Sequence, residues 1–165
     1  MKTARLVCTS LLVASPLIAL VGCPGTSPSD SPTASKLFTL ITETDPYQDW
    51  AQFPGVEGII ESAPPHGPMA QVFINTSVEA ALENFSGRLP DESIIVKESF
   101  GEITSEKADA LTIMWKVSGF DPENNDWFWA NITPEGVVNA EGKVAGCTSC
   151  HSGARDNDFV FLHQF

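Results

Sequence analysis

Basic residues are scarce in this chain: nine Lys and Arg stand against 21 Asp and Glu, a net charge of −12. Those beyond the N-terminus (Lys36, Arg88, Lys97, Lys107, Lys116, Lys143 and Arg155) are scattered. A phosphate backbone needs a clustered cationic face, so nucleic acid is excluded as a partner. Long apolar runs are also lacking. Leu6 to Val21 is the extended one, and Ser15-Pro16 interrupts it, leaving it too short for a stable membrane-spanning helix. There is no Gly-rich phosphate loop, no Ser-His-Asp signature and no repeat of fixed period. Apolar content is sufficient, however: 42% of the 165 residues are hydrophobic and 18% charged, which offsets chain entropy and excludes a disordered acidic tail. The length suits one domain. An acidic surface suits a basic protein partner or a small neutral or cationic ligand.

The first residues address the chain. Met1-Lys2-Thr3-Ala4-Arg5 is a short cationic start, the apolar stretch follows, and Leu20-Val21-Gly22-Cys23 closes it. That order is an export signal, and its end resembles the bacterial lipoprotein processing box, in which a Cys receives diacylglycerol and becomes the new N-terminus. The alternative is plain secretory cleavage near Gly22. Residues 1–22 are thus expected to be a signal peptide and Cys23 the lipidated residue; loss of Lys2 and Arg5 makes the mature chain still more acidic. Residues 23–36, rich in Pro, Ser and Thr, are expected to be a flexible tether, with the folded unit at 37–165. The expected location is the bacterial cell envelope, lipid-anchored and facing the periplasm, with Pro24 after Cys23 favouring the outer membrane.

Within that unit, short apolar runs separated by Gly, Pro, Asn and Asp predict strands at Ala70–Asn75, Ser93–Ser99, Ala110–Ser118 and Trp127–Ile132. Another begins at Gly136–Val138 and leads into a turn at Asn139–Gly142. Thr76-Ser77-Val78-Glu79 has the form of a capping box, and Val78, Ala81, Leu82 and Phe85 recur at helical spacing, ended by Gly87. Asp121–Asp126 reads as a turn. The fold class expected is β-rich α+β: a single domain with a mainly antiparallel sheet and few short helices.

Cys147-Thr148-Ser149-Cys150-His151 carries the chemistry. C-x-x-C-H is the attachment signature of c-type haem. Two thiols three positions apart on one turn can add across two porphyrin vinyl groups, and the adjacent imidazole then faces the iron as proximal ligand. The expected cofactor is therefore one covalent haem c held by Cys147 and Cys150, with His151 on the metal. A disulfide or thioredoxin-like pair would want a βαβ context, and a zinc site a fourth ligand, for which His163 is the nearby candidate. The box lies late in the chain and no Met follows it, unlike the small electron-transfer cytochromes with an early box and a downstream Met ligand. A four-helix bundle would need four long helical segments that the text lacks.

Over about 47–161 the chain resembles the cytochrome P460 / cytochrome c′-β family. The pieces stand in family order: Tyr47-Gln48-Asp49-Trp50, His66-Gly67, Val72-Phe73-Ile74-Asn75, Leu89-Pro90-Asp91-Glu92-Ser93-Ile94-Ile95-Val96-Lys97-Glu98, Ile113-Met114-Trp115-Lys116, Gly119-Phe120-Asp121, Asp126-Trp127-Phe128-Trp129, the haem box and Asp158-Phe159-Val160-Phe161. Glu92 departs from the pattern, standing where the family's P-x-G turn has Gly. The resemblance implies a β-rich homodimeric monohaem cytochrome with five-coordinate iron. In the P460 branch a Lys is bonded to the porphyrin and hydroxylamine is oxidised; in the c′-β branch Phe caps the distal side and nitric oxide is bound. Lys97 is the first candidate for the cross-link and Lys116 the second, with a solvent-facing strand lysine as the alternative. Glu141, with Glu135 beside it, is the candidate distal carboxylate for proton transfer. Phe73, Phe85, Phe100, Phe128, Phe159 and Phe161 could wall the pocket or serve as ordinary core. His66 reads as structural and His163 as near the surface.

Three functions compete: hydroxylamine oxidation at an open iron site, a nitric oxide binding or scavenging module, and a simple electron carrier with Met69, Met114 or His66 as sixth ligand. The first is preferred, with a redox protein as electron partner.

Overall fold

The computed structural model describes residues 31–161; the segment expected to be a signal peptide, Cys23 and His163 lie outside the described residues. Seven strands form one sheet: β1 (Ala51–Gln52), β2 (Ile60–Glu61), β3 (Met69–Ile74), β4 (Ile94–Phe100), β5 (Ala110–Lys116), β6 (Trp127–Ile132) and β7 (Val138–Gly142). Their order is β1-β3-β4-β5-β6-β7, with β2 also pairing β3. Every pairing is antiparallel. The helices are short: α1 (Ala34–Thr39), α2 (Thr76–Leu82) and α3 (Ala145–His151). The β-rich expectation holds, and with no parallel pair in the sheet the βαβ setting of a thioredoxin-like cysteine pair is missing.

Period-2 alternation gives the sheet two apolar faces. On the first, Ile94, Val96, Leu111, Ile113, Phe128, Ala130 and Ile132 pack under Ala34, Leu37, Ile41 and Tyr47. On the second, Ile74, Ile95, Met114, Trp127 and Trp129 pack under Val78, Leu89, Phe159, Val160 and Cys147. The second face therefore carries the C-x-x-C-H helix.

The sequence-based boundaries need four corrections. The folded unit starts before residue 37: α1 takes in Ala34–Lys36, because Thr33 caps it by accepting from the Lys36 amide and Ala34 is fully buried. Asn139–Gly142 is strand, not turn; the reversal falls at Thr133–Val137, where the Thr133 amide donates to the Val137 carbonyl and Gly136 takes φ +89°. The cap of α2 is Asn75 rather than Thr76, its Oδ1 accepting from Val78 N at 3.3 Å and Ile94 N at 3.1 Å, so one side chain caps the helix and pins β4. That helix stops at Leu82, short of Gly87.

Candidate haem site

The C-x-x-C-H residues occupy the end of α3. Cys147 is half-buried against the second face of the sheet, and Cys150, one turn on, is exposed; both are free thiols. Burial pushes the Cys147 thiol up from its ordinary pKa. His151 lies 4.8 Å from the Trp129 ring and 5.2 Å from the Phe161 ring, centroid to centroid. Its Nδ1 is 2.7 Å from the Phe159 carbonyl oxygen. A carbonyl only accepts, so Nδ1 carries the proton and Nε2 keeps its lone pair for a metal. Burial holds the ring below its ordinary pKa and nearby Lys97 lowers it further, while the Phe159 hydrogen bond acts in the opposite sense.

The carbonyl that receives this bond belongs to a strained turn. Asp158 and Phe159 sit consecutively at φ +57° and +65°, the left-handed region that non-glycine residues avoid. The Asp158 carboxylate is wholly buried and fully used. Oδ2 accepts from Lys116 Nζ at 2.6 Å and Leu89 N at 2.8 Å, and Oδ1 from Asn125 Nδ2 at 2.8 Å. Its own carbonyl accepts from Trp127 Nε1 at 2.7 Å. Lys116, also wholly buried, donates to Asn125 O at 2.8 Å and lies over the Trp127 ring. The second cross-link candidate is thus committed to an ion pair, its side chain closed in between Asp158 and the Trp127 ring.

Lys97 is placed differently. It shares the second face with Ile95, flanked across the sheet by Val72 and Thr112. Val72, Lys97, Thr112 and Asn131 are half-buried, whereas Ile95, Met114 and Trp129 further along that face are covered. Burial lowers the Lys97 ammonium's pKa, and Lys97 in turn lowers those of His66 and His151, which places the three bases together. Among the described residues no carboxylate pairs with it.

His66, read from the sequence as structural and named as sixth ligand for an electron carrier, lies at the site. It comes from the loop before β3, its ring 6.1 Å from that of His151. Thr112 Oγ1 donates to the Lys97 carbonyl at 3.3 Å and therefore accepts from His66 Nδ1 at 3.1 Å, leaving His66 Nε2 unprotonated. Burial, then Lys97 and His151, push the His66 pKa down to about 4. No local motif marks this role; the loop before β3, the β4–β5 pair and α3 bring these residues together.

Glu141 is not brought to the site. It projects from the first face, and its Oε2 accepts from Ala34 N at 2.6 Å, serving the start of α1. Trp129 lies one register step away on the other face, beside His151. Glu135 is exposed in the Thr133–Val137 turn. Of the phenylalanines, Phe159 is core on the haem-motif side, Phe85 packs at its margin, and Phe73 and Phe128 belong to the first face. Met69 is half-buried and Met114 is core of the second face.

These residues fit a haem. Two thiols lie one turn apart, an imidazole presents a bare Nε2, and part of an apolar sheet face beside it is uncovered. In addition Trp129, 3% exposed, has a buried Nε1 donor without a partner next to His151, an orphan that an acceptor of the group can satisfy. For zinc the residues fit less well: no group of three or more His, Cys, Asp or Glu among those described is gathered to hold a metal ion.

The family model for cytochrome P460 matches residues 45–162, most of the chain and all of this site. The chain belongs to the cytochrome P460 family. It is accordingly a monohaem c-type cytochrome, with iron. No curated protein matches it. Membership also bears on Glu92, which stands in the expected glycine place: it adopts φ +65°, so the turn keeps its shape without glycine.

Proposed function

We propose that this P460 family member is an exported, lipid-anchored haem protein that oxidises hydroxylamine, its single haem c bonded to Cys147 and Cys150 and ligated by His151. The observation that carries the reading is Lys97. A half-buried ammonium without a carboxylate partner among the described residues is unfavourable, burial lowers its pKa, and an amine that gives up its proton more readily beside the C-x-x-C-H helix is a nucleophile for the macrocycle. The haem supplies an iron that accepts electrons and binds small nitrogen ligands. The chain's own residues hold it, orient His151 and keep a polar patch, Thr112 and His66, beside it. Cys23 carries the lipid, the cytochrome works as a homodimer in the periplasm, and a redox protein takes the electrons; these parts rest on the signal sequence and on the resemblance.

Peptide mass mapping of haem-bearing digests, with optical spectra of wild type and Lys97→Ala, tests this. Expected are a haem peptide containing 147–151 joined to one containing Lys97, and a red-shifted ferrous Soret band lost in Lys97→Ala. High-spin haem that binds nitric oxide with no Lys97 adduct would replace the enzyme with a binding module. Labelled palmitate entering wild type but not Cys23→Ala tests the anchor.

A further inference from the structure

We propose that the buried Lys116–Asp158 ion pair is the positioning device for the haem-ligating histidine, holding the Asp158–Phe159 turn so that its carbonyl fixes His151 and thereby sets the reduction potential. The inference rests on the reading of His151 as iron ligand. Its core is that the residue which orients the imidazole contributes only a backbone oxygen, and non-directional packing of the buried Phe159 side chain does not by itself aim that oxygen.

The preceding residue does. Two consecutive left-handed residues put Phe159 O 2.7 Å from His151 Nδ1. The backbone of the turn is held by Asp158 N on Arg155 O at 3.1 Å and Phe159 N on Ala154 O at 2.9 Å, both contacts within the same C-terminal segment. Beside the packing of Phe159 and Val160 on the second face, it is the hydrogen bonds of the Asp158 side chain and carbonyl that tie that segment to the sheet at this point. They do so through Lys116 on β5, Trp127 on β6, Leu89 before β4 and Asn125 in the β5–β6 connection. Three separated parts of the chain, at 89, 116 and 125–127, thus converge on one carboxylate-bearing residue, one position before the carbonyl that matters.

The consequence is electronic. An imidazole donating a short, well-aimed Nδ1–H hydrogen bond is a stronger donor through Nε2, which favours oxidised iron and lowers the potential. If the clamp loosens, the carbonyl drifts, the bond lengthens and the potential rises. The pair's charge is compensated within the clamp, so this effect travels through position.

The test uses holoprotein. Asp158→Asn keeps the size and tolerates the left-handed backbone but removes the charge that holds Lys116. Asn125→Gly tolerates its own left-handed position, φ +56°, and deletes one bond to Oδ1, giving a milder variant that keeps the test open should Asp158→Asn fail to fold. Leu111→Ala, in the core of the opposite face, supplies destabilisation without touching the clamp. Expected are a midpoint potential shifted upward and an iron–histidine stretching band shifted downward in Asp158→Asn, smaller shifts of the same sign in Asn125→Gly, and neither in Leu111→Ala. Unchanged potential and band in both clamp variants, or equal shifts in Leu111→Ala, would overturn the proposal. A His151→Gly protein with the wild-type spectrum would show instead that the ligand reading itself had failed.

Discussion

Replacing Lys116 by Met should cost more stability than any comparable surface change, and the structure says why. Lys116 and Asp158 are both at 0% side-chain exposure, 2.6 Å apart. Met fills nearly the same volume, so the cavity contribution is small. What remains is a buried carboxylate that keeps Leu89 N and Asn125 Nδ2 but has lost its counter-charge, together with an Asn125 carbonyl without its donor. Breaking a buried pair from one side costs about 3–5 kcal/mol, against a total stability of about 5–15 kcal/mol for a domain. For a domain of this size that corresponds to a fall in Tm of about 10–20 °C. Removing the charge from both sides, in Lys116→Met/Asp158→Asn, leaves no unpaired ion, and the double variant should recover to within about 2 kcal/mol of wild type. Urea unfolding followed by tryptophan fluorescence measures all members of the cycle, since Trp127 lies against the pair. The reasoning fails if Lys116→Met lies within about 1 kcal/mol of wild type, or if the losses of the two single variants simply add.

Two further outcomes follow from the backbone and from burial. Glu92→Gly should stabilise the protein by about 0.5–1 kcal/mol, because φ +65° disfavours a side chain by more than glycine's extra chain entropy; a lower urea midpoint in Glu92→Gly would contradict this. His66, with its pKa pushed from 6.5 down to about 4, is neutral when folded, so above about pH 6.5 neither state holds the proton. As the pH falls from there towards about 4, the unfolded chain takes up a proton that the folded ring refuses, and stability is lost. Urea midpoints across that window should fall less steeply in His66→Gln than in wild type, and parallel curves would remove His66 from the account.

How far the sequence reveals this molecule depends on the range of the interaction concerned. Four strands are legible because an apolar run bounded by turn residues is written over six or seven neighbouring residues. Those missed, β1 and β2, are two residues each and exist only because β3 offers them an edge. Helix α1 hides in a Ser/Thr/Pro-rich stretch: its composition reads as tether, but Ala34 and Leu37 have an apolar sheet face to fill. Glu141 shows the same limit in the site. Its distance along the chain from the haem box suggested a distal acid, and a single step of strand parity sends it to the other face, while Trp129 opposite Gly142 faces His151.

The haem site itself divides along this line. Cys147, Cys150 and His151 stand within one helical turn, so their spacing alone carries the proposed attachment. What orients His151 for the proposed role of ligand does not. The Nδ1 acceptor is a backbone atom at 159, invisible as a residue type, and the carboxylate that fixes it is served from positions 89, 116, 125 and 127. Each of those residues has an ordinary local reading: a strand lysine, a turn asparagine, a core tryptophan. Their joint role arises when the antiparallel β5–β6 pair sets Lys116 opposite Trp127 and the C-terminal segment lands on both. Lys97 and Lys116 differ in the same way. Both follow apolar runs, yet one meets a buried aspartate and becomes structural, while the other meets two histidines and, among the described residues, no acid, which is the chemical opening the proposed function requires.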